Sequence, residues 1–271
     1  MLEIPDLVAA ERPPLLTLTS HRLGGTGKSL SGQIVVDAAY RSGLNLAIFE
    51  NDDQNFYDPY GNVHHVVLPA TDEVVHDPIA DVRVHGEFDR ALLEAGPDDC
   101  LIYDCAAASI NRHTYVIDQL DVGPRLEAMG RHALVLVPTS AREDIAREAL
   151  ETYEVWRDLL PTPHRIVPMI SQRDGDVRHL PAGHDLRKLV KLTGDGAFLV
   201  PRIPTAIIND VRRSGMKLCE LADTRNLLAT KEMARKIGMD PTIVQMMRRS
   251  AGTVLSETDA QMRCLGFTLG L

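Results

Sequence analysis

With 271 residues, 44% hydrophobic and 25% charged, the chain can bury a full core in one large α/β domain, and an aromatic content of 4% leaves Leu, Ile, Val and Ala to build it. No run approaches the ~20 apolar residues of a membrane span, and the opening MLEIPDLVAAERPP is too acidic and proline-broken for a signal peptide, so a cytoplasmic protein is expected. The net charge of −9 is uneven: from Asp185 to Leu271 fourteen Lys and Arg face nine Asp and Glu, a balance of +5 that leaves −14 on residues 1–184.

The basic last third is either a surface for a polyanion or an ordinary set of solvated helices. Four cysteines (Cys100, Cys105, Cys219, Cys264) show no CxxC spacing, so reduced, buried thiols are expected rather than a zinc site or a disulfide framework.

After a tail over residues 1–14, LLTLT at Leu15 to Thr19 reads as a buried strand, Ser20 to Gly27 as a loop, and Lys28 onward as a helix with Ile34, Val35 and Ala38 at helical spacing. A strand, a glycine loop and a helix make a phosphate cradle. Gly24, Gly25 and Gly27 allow backbone N–H groups to turn toward an anion, and the positive end of the helix points at the same place. Lys28 then reaches the β- and γ-phosphates and Ser29 offers a hydroxyl to Mg²⁺. The pattern GxxxxGK[ST] is met at Gly27, Lys28 and Ser29 and fails at its first position, Arg22. The alternative is a glycine-rich turn with a surface lysine.

Arg41-Ser42-Gly43 ends the helix, and Leu44 to Phe49 forms a second apolar strand. The polar run Glu50-Asn51-Asp52-Asp53-Gln54-Asn55 follows it, at the strand end where parallel α/β sheets keep their sites, placed for Mg²⁺ and an attacking water or else a simple polar turn. Between Phe56 and His85 only short strand-like pieces are visible (Val63 to Leu68, Val82 to Val84). His64, His65, His76 and His85 match no metal-ligand spacing there and read as loop histidines. Glu87 to Ala95 reads as a helix. Asp98 to Asp104 is an apolar strand ending in an acid, the Walker B arrangement whose carboxylate holds the magnesium shell.

A strand at Ala133 to Val137 leads into a helix at Ala141 to Leu160, with Ile145, Ala149, Tyr153 and Trp156 on one face. Further strands are expected at Arg165 to Ile170 and Phe198 to Val200, and helices at Leu186 to Leu192, Ile207 to Gly215 and Asn226 to Gly238. This alternation predicts a three-layer α/β fold, a parallel sheet with flanking helices, closed by a helical C-terminal extension.

In motif order the chain resembles the ParA/MinD group of deviant Walker A P-loop ATPases from about Leu15 to Leu221. RLGGTGKS stands where that family has GKGGxGK[ST], FENDDQN where it has a strand ending in DxDPQ, and LIYDCAAAS where it has IIIDCPP. VLVPTSARE and VPRIPTAIINDVRRSG match its proline-ended strand and its IPR segment with a helix ending in glycine. The resemblance implies a P-loop NTPase fold, with the ATPase domain over 15–225 and a helical extension of the same domain over 226–271. It also implies ATP and Mg²⁺ binding, a homodimer formed on ATP binding, slow hydrolysis, and a partner protein that stimulates or reads the ATP state.

Carried over by position, Lys28 and Ser29 serve phosphate and metal, while Gly24, Gly25, Thr26 and Gly27 supply backbone donors, with Leu30 beside them. Asp52 positions the attacking water and adds to the metal site, Asp104 holds the Mg²⁺ shell, and Pro204 and its neighbours line the adenine. The family's signature lysine falls at Leu23, which cannot donate a charge-assisted hydrogen bond. Losing a contact of that type costs ~10³ or more in rate. Three functions are therefore distinguished. One is a partition or conjugal-transfer ATPase that binds DNA nonspecifically through Arg212, Arg213, Lys217, Arg248 and Arg249; the second is a nucleotide-binding recruitment switch with little turnover; the third is an ATP-dependent ligase of the dethiobiotin synthetase-like branch.

Overall fold

Side chains on the strands alternate between two apolar layers, and this decides the architecture. In the computed structural model, which describes residues 4–51, 55–77, 79–223 and 227–270, the strands are β1 (Leu16–Thr19), β2 (Asn45–Glu50), β3 (Val63–His65), β4 (Asp99–Asp104), β5 (Ala133–Ser140), β6 (Arg165–Ser171) and β7 (Phe198–Val200). They form one all-parallel sheet in the order β3-β2-β4-β1-β5-β6-β7. The helices of the described residues are α1 (Lys28–Arg41), α2 (Thr71–His76), α3 (Ala80–Val84), α4 (Gly86–Glu94), α5 (Ile110–Gln119), α6 (Val122–Ala128), α7 (Glu143–Leu159), α8 (Asp185–Leu192), α9 (Thr205–Ser214), α10 (Leu218–Asp223), α11 (Leu227–Ile237) and α12 (Pro241–Cys264).

Ile102, Leu134, Leu136, Val167 and Met169 face a layer made by α1 and the C-terminal helices, which contribute Ile34, Val35, Val211, Leu221, Val244 and Val254. Their sequence neighbours Leu101, Tyr103, Val135, Val137 and Ile166 face the other layer, made by Phe88 and Leu92 of α4, Val116 of α5, Trp156 of α7 and Leu189 of α8. A sheet buried on both faces needs apolar side chains at every strand position, which the near-continuous apolar runs supply. Each fully buried aliphatic side chain contributes roughly 1.5–3 kcal/mol. The C-terminal helices are thus one wall of the core. Arg41 ties them to α1, pairing with Asp37 at 2.8 Å and with Asp259 of α12 at 2.7 Å.

The N-terminal segment is pinned by backbone. Ala10 N–H donates to the Cys264 carbonyl at 2.8 Å and Val8 N–H to that of Asp195 at 3.2 Å. A Cβ at Gly196 would stand 2.2 Å from the Asp6 carbonyl oxygen, and one at Gly266 2.2 Å from the Arg12 carbonyl carbon, so only glycine admits the segment at either point.

Two expectations are corrected. Val82 to Val84 is the end of helix α3, not a strand; His85 N–H donates to the Val82 carbonyl at 3.1 Å, and the β-branched alternation yields to tertiary packing of the buried Ala80 and Asp81. Of the cysteines, Cys100 and Cys105 are buried, whereas Cys219 and Cys264 are half-buried; none of the four forms a disulfide. No helix of the described residues is long and apolar enough to cross a membrane.

Candidate nucleotide-binding site

β1 is the middle strand, with β4 on one side and β5 on the other, so the chain reverses direction across the sheet at its C-terminal end. That is where an open parallel sheet leaves a crevice. The loop leaving β1 enters it. Gly25 has φ +69° and Gly27, the N-cap of α1, has φ +101°, left-handed conformations that L side chains resist and that swing successive N–H groups inward. A Cβ on Gly24, Gly25 or Gly27 would meet nothing within 4 Å, so the glycines leave open space in front of the loop rather than easing contact with protein. Lys28 is buried, its ammonium 3.5 Å from the Leu23 carbonyl, and Thr26 Oγ1 lies 3.5 Å from the same oxygen. Ser29 is half-buried in the first turn of α1, with Leu30 next to it.

Asp104 ends β4 in register with Thr19, the last residue of β1 before the loop. Its carboxylate accepts from the Thr19 hydroxyl and, at 2.8 Å, from the Tyr57 hydroxyl. Lys28 and Asp104 meet electrostatically at one buried thiol: burial pushes the Cys105 pKa well up, the Asp104 carboxylate pushes it further, and the Lys28 ammonium opposes both. Glu50, also buried, is the register partner of Asp104 on β2 and accepts from Phe56 N–H at 3.2 Å. Asp52 lies outside the described residues.

Three side chains hold the loop. His21 donates from Nε2 to the Ile145 carbonyl (3.2 Å) and accepts at Nδ1 from Leu23 N–H (2.9 Å), since a carbonyl can only accept and an amide only donate. Burial, with the nearby Lys28 charge, presses its pKa down to about 4, so the ring is neutral at pH 7. Arg22 pairs with Glu151 of α7 at 2.6 Å. Arg173, just after β6, donates to the Gly25 carbonyl at 2.9 Å. Arg173 also lines a cavity of about 30 Å³ with Gly27, Leu30, Met169, Pro201 and Ile203. Pro201 and Ile203 are neighbours of Pro204, which itself is the exposed N-cap of α9.

Sequence reasoning missed His21, Tyr57 and Arg173. Tyr57 had a visible signal. Gly32 sits inside α1, where glycine costs about 1 kcal/mol, and a Cβ there would stand 2.1 Å from the Tyr57 hydroxyl oxygen. The helix gives way so that Tyr57 can reach Asp104. Of the histidines of residues 64–85, His64 stacks on Phe49 and pairs with Glu87 at 2.8 Å, and His85 bonds Tyr103 at 2.6 Å; His65, at the end of β3 and not in a loop, lies 3.6 Å from Glu50 and close enough to Glu50 and Asp58 for the three to hold a metal ion.

The residues fit a nucleoside triphosphate with Mg²⁺. The donor set is a left-handed glycine loop facing open space, a buried lysine resting on a loop carbonyl, a serine hydroxyl one residue on, and a carboxylate held by two hydroxyls at the next strand end. Among solved structures the chain is similar to MinD and ParA ATPases. The ParA family ATPase of Chlorobium tepidum TLS is 14% identical, with 88% of this chain and 98% of that chain covered and a TM-score of 0.48. For MinD in the MinC:MinD cell division complex of Aquifex aeolicus the figures are 12%, 88%, 95% and 0.47. For the septum site-determining protein MinD of Pyrococcus horikoshii OT3, complexed with Mg-ADP, they are 13%, 92%, 98% and 0.45. No protein-family model matches the chain, and no curated protein matches it in sequence. Fold and function rest on the chain's own sheet and site.

Proposed function

We propose that the chain is a ParA-type ATPase that binds ATP with Mg²⁺, dimerises in doing so and is read or reset by a partner protein, in partition of a replicon or in conjugal transfer. The observation that supports it is the buried Asp104 carboxylate in register with Thr19, the last residue before a loop whose glycines face open space and whose Lys28 is buried. In this reading the N–H groups of residues 24–28 and the Lys28 ammonium take the phosphates. Ser29 and Asp104 hold the metal's surroundings, with Thr19 and Tyr57 fixing the carboxylate's orientation. Asp52 is assigned to the attacking water by its place in the sequence. The base would enter beside Pro201 and Ile203, and about 30 Å³ is too little for it, so Arg173 or α9 shifts as the nucleotide arrives.

A second reading, a nucleotide-dependent switch with little turnover, is favoured by one feature. Leu23 brings no charge to the loop, and its cationic neighbour Arg22 is engaged with Glu151. Phosphate release separates the two: turnover near background in the wild type that rises in Leu23→Lys supports the switch, and ready wild-type turnover lost in Lys28→Ala supports the ATPase.

DNA contact through the basic C-terminal residues belongs to the first reading. Arg249 of α12 is exposed, whereas Lys217 pairs with Glu220 at 2.9 Å, Arg213 with Asp210 at 3.5 Å, and Arg212 lies over the Phe56 ring at 5.3 Å. Those pairs are surface ones worth ~0–1 kcal/mol, which a phosphate backbone displaces. Binding that weakens with salt and needs ATP supports this role; DNA affinity indifferent to both ends it.

A further inference from the structure

The N-terminal edge of the sheet, opposite the nucleotide site, holds a cavity of about 630 Å³ between residues 8–12, the starts of β5 and β6, and Asp195. Its distance from the loop is the length of the eight-residue β5, about 26 Å at ~3.3 Å per residue. Three arginines face it. Arg12 is exposed and has no ion pair among the described residues. Arg131 is buried; one terminal nitrogen donates to the Gly96 and Pro97 carbonyls at 3.3 and 3.2 Å, no carboxylate pairs with it among the described residues, and its Nε has no hydrogen-bond partner there. Arg165 is also buried and spends one nitrogen on the Val8 and Asp195 carbonyls, while its carboxylate contact, to Asp195, is long at 3.9 Å.

The lining also carries three carboxylates: Asp195, which is drawn to Arg157 at 3.1 Å, Glu127, which lies 3.4 Å from His164, and the exposed Glu11. His132 lies within the group: burial lowers its pKa, and Arg165, His164, Arg131 and Arg12 lower it further, to about 4. Elsewhere, among the described residues, several arginines sit within about 3 Å of a carboxylate, as Arg22, Arg41, Arg112, Arg125 and Arg142 do. Planar guanidinium groups with spare donors, gathered on one cavity without a close carboxylate, suit a bidentate anion.

We infer that this cavity is a second ligand site, separate from the phosphate loop, that takes a small phosphorylated molecule between Arg12, Arg131 and Arg165. A volume of about 630 Å³ falls in the range of small-molecule sites and leaves room for more than the phosphate group itself. Its occupant would also touch the segment 8–12, the part of the chain that Gly196 and Gly266 admit so closely.

The test uses pyrophosphate on full-length protein carrying Lys28→Ala, which disables the loop site. Calorimetry is expected to show binding in that background, weakened tenfold or more by Arg131→Gln and by Arg12→Gln and unchanged by Arg147→Gln, an exposed arginine of α7. Arg12 makes no hydrogen bond among the described residues, so its variant folds even where Arg131→Gln does not. Imidazole NMR adds an independent readout: pyrophosphate raises the His132 pKa by bringing negative charge beside it. Loss of binding in Lys28→Ala alone, equal weakening by Arg147→Gln, or a His132 titration that ignores pyrophosphate would each overturn the inference.

Discussion

Replacing Gly32 with alanine tests how the site is built from the helix outward. In an ordinary helix interior the change stabilises by about 0.5–1 kcal/mol, because glycine has more backbone freedom to lose. Here the new Cβ would stand 2.1 Å from the Tyr57 oxygen, 3.1 Å from Cζ and 3.3 Å from Cε1, and Tyr57 is fully buried, so the ring has nowhere easy to go. Overpacking of this kind costs about 1–3 kcal/mol, and displacing the hydroxyl removes a hydrogen bond to a buried carboxylate, worth about 1.5–3 kcal/mol. The balance is a loss of about 2–5 kcal/mol. Tyr57→Phe alone removes the hydrogen bond and keeps the ring, and should cost about 1.5–3 kcal/mol. The two changes must then be non-additive, since phenylalanine removes the atom at 2.1 Å and leaves contacts of 3.1 and 3.3 Å that a small shift relieves. Urea denaturation of the four proteins in a double-mutant cycle reads this as a coupling of about 1 kcal/mol or more. A Gly32→Ala protein as stable as the wild type, or strictly additive variants, would show that α1 does not seat Tyr57 on Asp104.

Acid should destabilise the fold before the carboxylates titrate. The pKa values of His21 and His132 are lowered to about 4 and that of His113 to about 3, in each case chiefly by burial. Such groups bind protons in the unfolded chain first, so stability is full above pH 6.5 and is lost as pH falls from 6.5 toward 4. The loss amounts to a few kcal/mol for each histidine, since each tenfold difference in proton affinity between the folded and unfolded chain is worth ~1.4 kcal/mol. Denaturation midpoints from pH 8 to pH 4 check it, and a flat profile over that window contradicts it. Gly196→Ala should detach the segment at Asp6, because its Cβ overlaps the carbonyl at 2.2 Å, and faster proteolysis within residues 4–12 is the measurement. His21→Ala should loosen the phosphate loop by removing its links to Ile145 and Leu23, weakening nucleotide affinity with little change in global stability, and a nucleotide titration beside a melting curve separates those effects.

Much of the fold was legible because both of its signals are local. Runs such as Leu134 to Val137 and Ile166 to Ile170 are apolar on both faces, as a covered parallel sheet requires, and the glycines before Lys28 announce a loop of unusual backbone. The acid at 104 was readable from its place at a strand end. What sequence hid is long-range. Tyr57 reaches Asp104 across 47 positions, Arg173 reaches Gly25 across 148, and the three arginines of the opposite edge come from residues 12, 131 and 165, which only the strand order brings together. Val82 to Val84 misled because three residues with β-branched side chains at alternate positions fit a strand and a helix end equally well.

The central claim is that Lys28 and Asp104 face one nucleotide. Isothermal titration of the protein with ATP, with and without Mg²⁺, tests it most directly. Binding to the wild type is expected, at least tenfold weaker in Lys28→Ala, and dependent on Mg²⁺ in the wild type but no longer so in Asp104→Asn. Absence of binding to the wild type, or affinity that neither substitution changes, would contradict the account.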